Sequence, residues 1–185
     1  MNLSFKNFKF FEVAVIAVLA AALALVITSN LRDSQAKDRD AIRISDIGQI
    51  RLALGEFFDE KGTYPVCLYK KEGCTSLEGS EHMSMVPHDP STNLPYAYAS
   101  IGTGTDCRTF HLGTSLERTG SQALLTGADA PPEPDTALCA GSEHDFSGLS
   151  YAPGGEPCNA DAGIAQPTED HENGETCFDL KPRRR

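Results

Sequence analysis

The sequence predicts an α+β protein, with one long N-terminal helix followed by a small antiparallel sheet and a loop-rich, disulfide-bonded C-terminal region. Three observations predict it. An apolar run from Phe8 to Thr28 continues without a Gly or Pro break into a helical pattern that ends near Lys61. Two strand-like segments, 96–101 and 109–113, flank a Gly-rich turn. All six cysteines lie at or beyond Cys67.

The helix comes first. Residues 13–30 read VAVIAVLAAALALVITSN, close to the roughly 20 apolar residues that span a bilayer core as a helix. The run is broken only near its start, by Lys9 and the single acid Glu12. A charge at the centre of a bilayer costs about 3 kcal/mol or more, so Glu12 calls for a partner that the segment does not contain. An acid at the end of such a run can also reach the headgroups. Beyond Asn30, Ile42, Ile47, Ile50, Leu54, Phe57 and Phe58 recur at helical spacing, with Asp38, Arg39, Arg43, Asp46 and Glu56 on other faces. Gly48 and Gly55 weaken this half by about 1 kcal/mol each and permit close packing or curvature. The charged ladder Arg32, Asp33, Lys37, Asp38, Arg39 and Asp40 reads as a solvated helix face with local i to i+4 pairs. Gly62 and Pro65 supply the stop: a residue free to take the left-handed cap, then one that cannot resume the helix.

After Pro65 the chain turns to loop and strand. Residues 85–95 carry three prolines, which exclude a central strand and mark an ordered connection. Tyr96–Ile101 alternates, 102–106 offers turn residues, and Thr109–Gly113 resumes strand character, which together read as a β-hairpin. Residues 115–125 read as a strand end or a short helix. From Gly141 onward Gly, Pro, Asp and Glu dominate, leaving room only for short strands at 149–151 and 177–180.

Cysteine usage and charge narrow the function. With six cysteines, no CxxC and no His at zinc-finger distance, disulfides are the better reading than zinc, and they place the domain outside the reducing cytoplasm. Short loops close at the lowest entropy cost, which favours the pairs Cys67 with Cys74, Cys107 with Cys139 and Cys158 with Cys177. The formal charge is −10, and between Gly62 and Leu180 the only basic residues are Lys70, Lys71, Arg108 and Arg118. Such a surface repels a phosphate backbone, so no nucleic-acid partner is expected.

The stretch 8–65, and more faintly Val86–Tyr98 and Phe110–Glu117, resembles a type IV pilin or a type II secretion pseudopilin, above all a major pseudopilin. Phe8 stands where that family has its first mature residue and Glu12 where it has its fifth-position glutamate. Residues 87–90, Pro-His-Asp-Pro, are similar to its Pro-x-Asp-Pro loop.

The resemblance implies a long helix packed on an antiparallel sheet. It divides the chain into a leader at 1–7, a membrane and assembly half at 8–29, an amphipathic half at 30–62 and an extracytoplasmic domain at 63–185. It implies cleavage between Asn7 and Phe8 by a prepilin peptidase, methylation of the new amine, and extraction from membrane lipid by inner-membrane assembly machinery. The product would be a homo-oligomeric filament outside the cytoplasm, in which Glu12 pairs with the Phe8 amine of a neighbouring subunit. The family carries Gly before the cleavage site where this chain has Asn7.

Three further expectations complete the reading. Calcium occurs in loops of some major pseudopilins, and Asp89, Glu169 and Asp170 supply hard oxygen ligands for it here, although EF-hand spacing is not met. No enzyme is expected: the five histidines are scattered, and in adjacent His and acid pairs such as His88-Asp89 and His144-Asp145 the side chains point apart as sequence neighbours do. The alternative function is a secreted or singly membrane-anchored disulfide-rich binding domain, with residues 1–30 as signal peptide or anchor.

Overall fold

The computed structural model describes residues 5–118, 120–128, 130, 133–146, 148, 158 and 176–182, with backbone only for 5–11. One continuous helix, α1, covers Phe5–Lys61. By contacts the chain forms two compact units, Met1–Asp38 and Arg39–Arg185.

In the first unit the apolar residues of α1 face outward on every side. Val13, Ile16, Val18, Leu19, Leu23, Leu25 and Leu31 all remain more than half exposed. The hydroxyls of Thr28 and Ser29 donate to the carbonyls of Leu25 and Val26, three residues earlier, so the helix satisfies its own polar groups.

The second unit starts at Arg39, inside the segment expected as the amphipathic half. There α1 buries a stripe at residues 40, 43, 47, 50, 54 and 57, spaced alternately by three and four. Ile47, Ile50 and Leu54 are fully buried. Two expectations are corrected. Ile42, read as part of the apolar stripe, is 48% exposed, whereas Arg43 and Asp40, read as surface charges, are 0% and 4% exposed. Gly48 and Gly55 serve no close approach within the described chain, since nothing lies within 4 Å of where their Cβ atoms would be. Gly62 takes the left-handed conformation at φ 73° and donates to the Phe58 carbonyl, closing the helix.

The sheet has three antiparallel strands in sequence order: β1, Ala97–Thr103; β2, Asp106–Ser115; and β3, Cys177–Leu180. The β1–β2 turn carries Gly104 at φ 60°, where a side chain would be strained. Strand β2 ends at Ser115, and a single 3-10 turn, Leu124–Thr126, stands in the region read as strand end or short helix. The strand expected at 149–151 lies outside the described residues.

Alternation along β2 builds two cores. Tyr98, Phe110, Leu112 and Phe178 join Ile47, Ile50, Leu54 and Phe57 of α1 in the larger one. Phe110 meets Tyr64 edge to face at 4.8 Å, and Tyr64 stacks on Phe58 at 4.5 Å. The opposite face of the sheet buries Cys177, Phe146 and Cys158 with Ala97 beside them. Three disulfides join the sequence-local pairs Cys67–Cys74, Cys107–Cys139 and Cys158–Cys177. The last of these fastens Cys158 to β3 beneath the second face.

Candidate functional site

Glu12 sits on α1 just before the exposed apolar stretch and is itself exposed. No described side chain of its own chain pairs with it. Asn7 and Phe8 lie in the first turns of the same helix. This stretch is long and apolar enough to cross a membrane. A helix that is apolar on all sides has no solvated face to offer water, so its surface suits lipid or other apolar helices.

The second unit contains a buried charge cluster that ties the helix to the Pro-rich loop and to the end of β2. The Arg43 guanidinium donates to Asp40 Oδ1 at 2.8 Å, Asp89 Oδ2 at 2.5 Å and the Ser91 hydroxyl at 2.7 Å, and pairs with Glu117 Oε1 at 2.8 Å. Arg39 grips both oxygens of Glu117 from the helix turn before. Asp40 accepts the backbone N–H groups of Glu117 and Arg118 at 2.8 and 3.1 Å. Tyr96 donates its hydroxyl to Asp46 at 2.7 Å, so β1's approach is also pinned to the helix.

Asp89 is central to this cluster. Its Oδ1 accepts the backbone N–H groups and the hydroxyls of both Ser91 and Thr92, at 2.7 to 3.1 Å. Burial alone would raise its carboxyl, but Arg43, Ser91 and these amides hold it well below the usual carboxylate range. Asp89 spends its oxygens on a guanidinium and local donors, and an added divalent cation would sit against Arg43. Glu169 and Asp170, the other expected calcium ligands, lie outside the described residues, and among the described residues no group of acids, His and Cys is arranged to hold a metal.

A second charge cluster lies on the opposite face of the sheet. His111 is fully buried, with Nδ1 2.8 Å from Asp145 Oδ1 and Nε2 2.7 Å from Asp179 Oδ2. Its ring stacks on Phe146 at 3.9 Å. Asp145 also accepts the N–H groups of Glu133 and Phe146, and Asp179 those of Ala128 and Ala130. Burial acts to lower the imidazolium's affinity for its proton, yet the two carboxylates outweigh it and raise the His111 pKa above its ordinary value. His144, next to Asp145 in sequence, turns away to the exposed Asp135 at 3.0 Å.

A cavity of about 660 Å³ beside the Cys67–Cys74 loop is walled by Tyr69, Tyr96 and Tyr98. Their hydroxyls are committed elsewhere: Tyr69 to the Pro87 carbonyl, Tyr96 to Asp46 and Tyr98 to the Pro65 carbonyl. Lys71 at its edge pairs with Glu143.

The structure thus brings together residues that the sequence did not associate. Arg43 had a signal, because Asp40 and Arg43 extend the buried spacing of Ile47, Ile50 and Leu54 by about two further turns. His111 had none, since its partners lie 34 and 68 residues away. The chain is therefore an α+β protein with one long apolar N-terminal helix, a three-stranded antiparallel sheet and three disulfides. No protein-family model, no curated protein and no solved structure matches it.

Proposed function

We propose that this chain is a structural, non-enzymatic subunit of a pilin-like or pseudopilin-like filament, held in a membrane before assembly and polymerising outside the cytoplasm through the first half of α1. The observation that carries the reading is the apolar stretch of α1, exposed on every side with Glu12 at its start and continuous with the helix that packs on the sheet. Lipid would cover this surface before assembly and neighbouring helices after it. The Phe8 amine of a neighbouring subunit gives Glu12 the counter-charge that its own described side chains do not supply. The pairing would set register, while the apolar surface supplies cohesion.

His111 does not support an enzymatic reading. Both of its ring nitrogens face carboxylates within a fully buried site, which leaves no lone pair for general-base work.

Asn7, where the family has Gly, favours a second reading: an uncleaved, singly anchored domain. Mass spectrometry of the mature N-terminus separates the two. A chain beginning at methylated Phe8 supports the filament subunit, an intact Met1 supports the anchor, and a start near Leu25 or Asn30 refutes both. Glu12→Ala should abolish or strongly reduce filaments while leaving the melting of the second unit unchanged. Normal filaments from that variant would refute the proposed pairing.

A further inference from the structure

The proton inventory around His111 is constrained by chemistry. A neutral imidazole has one N–H and one lone pair, so it satisfies one carboxylate and turns its lone pair on the other. With both carboxylates ionised, at 2.7 and 2.8 Å, only the doubly protonated ring satisfies the two together. Neither carboxylate is free to swing away, because each also accepts two backbone N–H groups from the chain that covers this face. Gly148 closes the arrangement: a Cβ there would lie 2.2 Å from Asp179 Oδ2.

We propose that His111 is a proton-operated clasp: charged, it holds the covering residues Ala128, Ala130, Glu133 and Asp145 against the second face of the sheet, and its deprotonation as pH rises releases them while the helix-side core stays folded. The groups facing His111 leave it as the operating element among the described residues. Strand β1 brings Ala97 and Ala99 beside it, which do not titrate. Strand β3 presents Asp179, and the cover presents Asp145. Glu133 and Lys181, also carried by the cover and by the end of β3, pair with each other at 3.3 Å. On the helix side the cation is Arg43, a guanidinium that keeps its proton throughout the accessible range.

The sign follows from linkage. His111 binds its proton more tightly folded than unfolded, so its contribution is complete below the ordinary value of 6.5 and is lost as pH rises through the raised folded value. Asp145 works in the other direction. Its pKa is lowered, with His111 and two backbone amides outweighing burial, so its contribution is present above 3.8 and is lost as pH falls through the folded value. The clasp is therefore strongest between the two ordinary values.

The test uses the full chain in detergent micelles. Amide hydrogen exchange at Ala128, Ala130 and Glu133, corrected for the intrinsic pH dependence, should show an opening constant that climbs above pH 6.5 by up to about tenfold per pH unit. The amides of Ile50 and Leu54 should not follow. His111→Gln should open the cover at all pH values and remove the step, whereas His144→Gln should leave the step intact. If His111→Gln does not fold, nitrogen NMR of the native imidazole decides instead, and both ring nitrogens should carry protons at pH 7. A singly protonated ring at pH 7, opening that is flat from pH 6 to 9, or a step removed by His144→Gln would each overturn the clasp.

Discussion

The two faces of the sheet are each closed by a buried cation among carboxylates, and they differ in the kind of cation. On the helix side Arg43 has Asp40, Asp89 and Glu117 around it. On the other side His111 has Asp145 and Asp179. A guanidinium is charged at any pH the protein meets, so the join between helix, Pro-rich loop and β2 is unconditional. An imidazolium is charged only on condition. The helix-side cluster also sits at the edge of a large apolar core, whereas among the described residues the second face buries a smaller apolar cluster, Phe146 and the Cys158–Cys177 disulfide with Ala97 beside them. Its cover consequently depends more on the charge and on the disulfide.

The sharpest break in this comparison is Arg43→Ala. Removing the guanidinium leaves three carboxylates, two of them buried, facing one another without their shared counter-charge. Breaking a buried pair in this way costs about 3–5 kcal/mol, and here the loss spreads to the loop, because Asp89 and Ser91 both answer to Arg43. Denaturant unfolding of the full chain in micelles should register that loss at pH 6 and at pH 8 alike. Equal stability of variant and native chain would mean that the cluster is an ornament of packing rather than its anchor.

Part of this contrast was legible in the sequence. The helix, its stop at Gly62, the hairpin and the short strand at 177–180 follow from periodicity and turn chemistry, which are local. Arg43 was legible in principle, because its place is set by spacing along one helix, but charge type argued for the surface and misplaced it. The partners of His111 come from β3 and from the chain between the second and third strands, so only the folded topology brings them together. Asp89 shows a third case. Its Pro-rich loop suggested an ordered turn correctly, yet the same carboxylate was open to a cation or to a guanidinium until the helix placed Arg43 beside it.

A smaller break is available at Gly113, on the second face only. A Cβ at this position would lie 2.7 Å from a Phe146 ring carbon and 3.1 Å from the Cys158 sulfur, so the ring that stacks on His111 must move. Overpacking of this kind costs about 1–3 kcal/mol. Gly113→Ala should therefore destabilise the second face by that amount, measured as faster exchange at Ala130 and Glu133, with little change at Ile50. If Ile50 and Ala130 exchange faster together, the two faces fold as one unit and the contrast between their cations loses its separate readouts.

The smallest effect belongs to the outer side of α1, away from both clusters. Gly55 lies in the helix interior with open space where its Cβ would be. Gly55→Ala adds no clash within the described chain and reduces the backbone freedom of the unfolded state, so it should stabilise the second unit by about 0.5–1 kcal/mol. The gain should appear equally at pH 6 and pH 8, because no titrating group is involved. A loss of stability in the isolated chain would show that something packs against this position, and the same variant then becomes a probe of what does. If the chain alone is stabilised while filaments fail to form, the helix's open side is used between subunits, and the small residue is retained for assembly rather than for the fold.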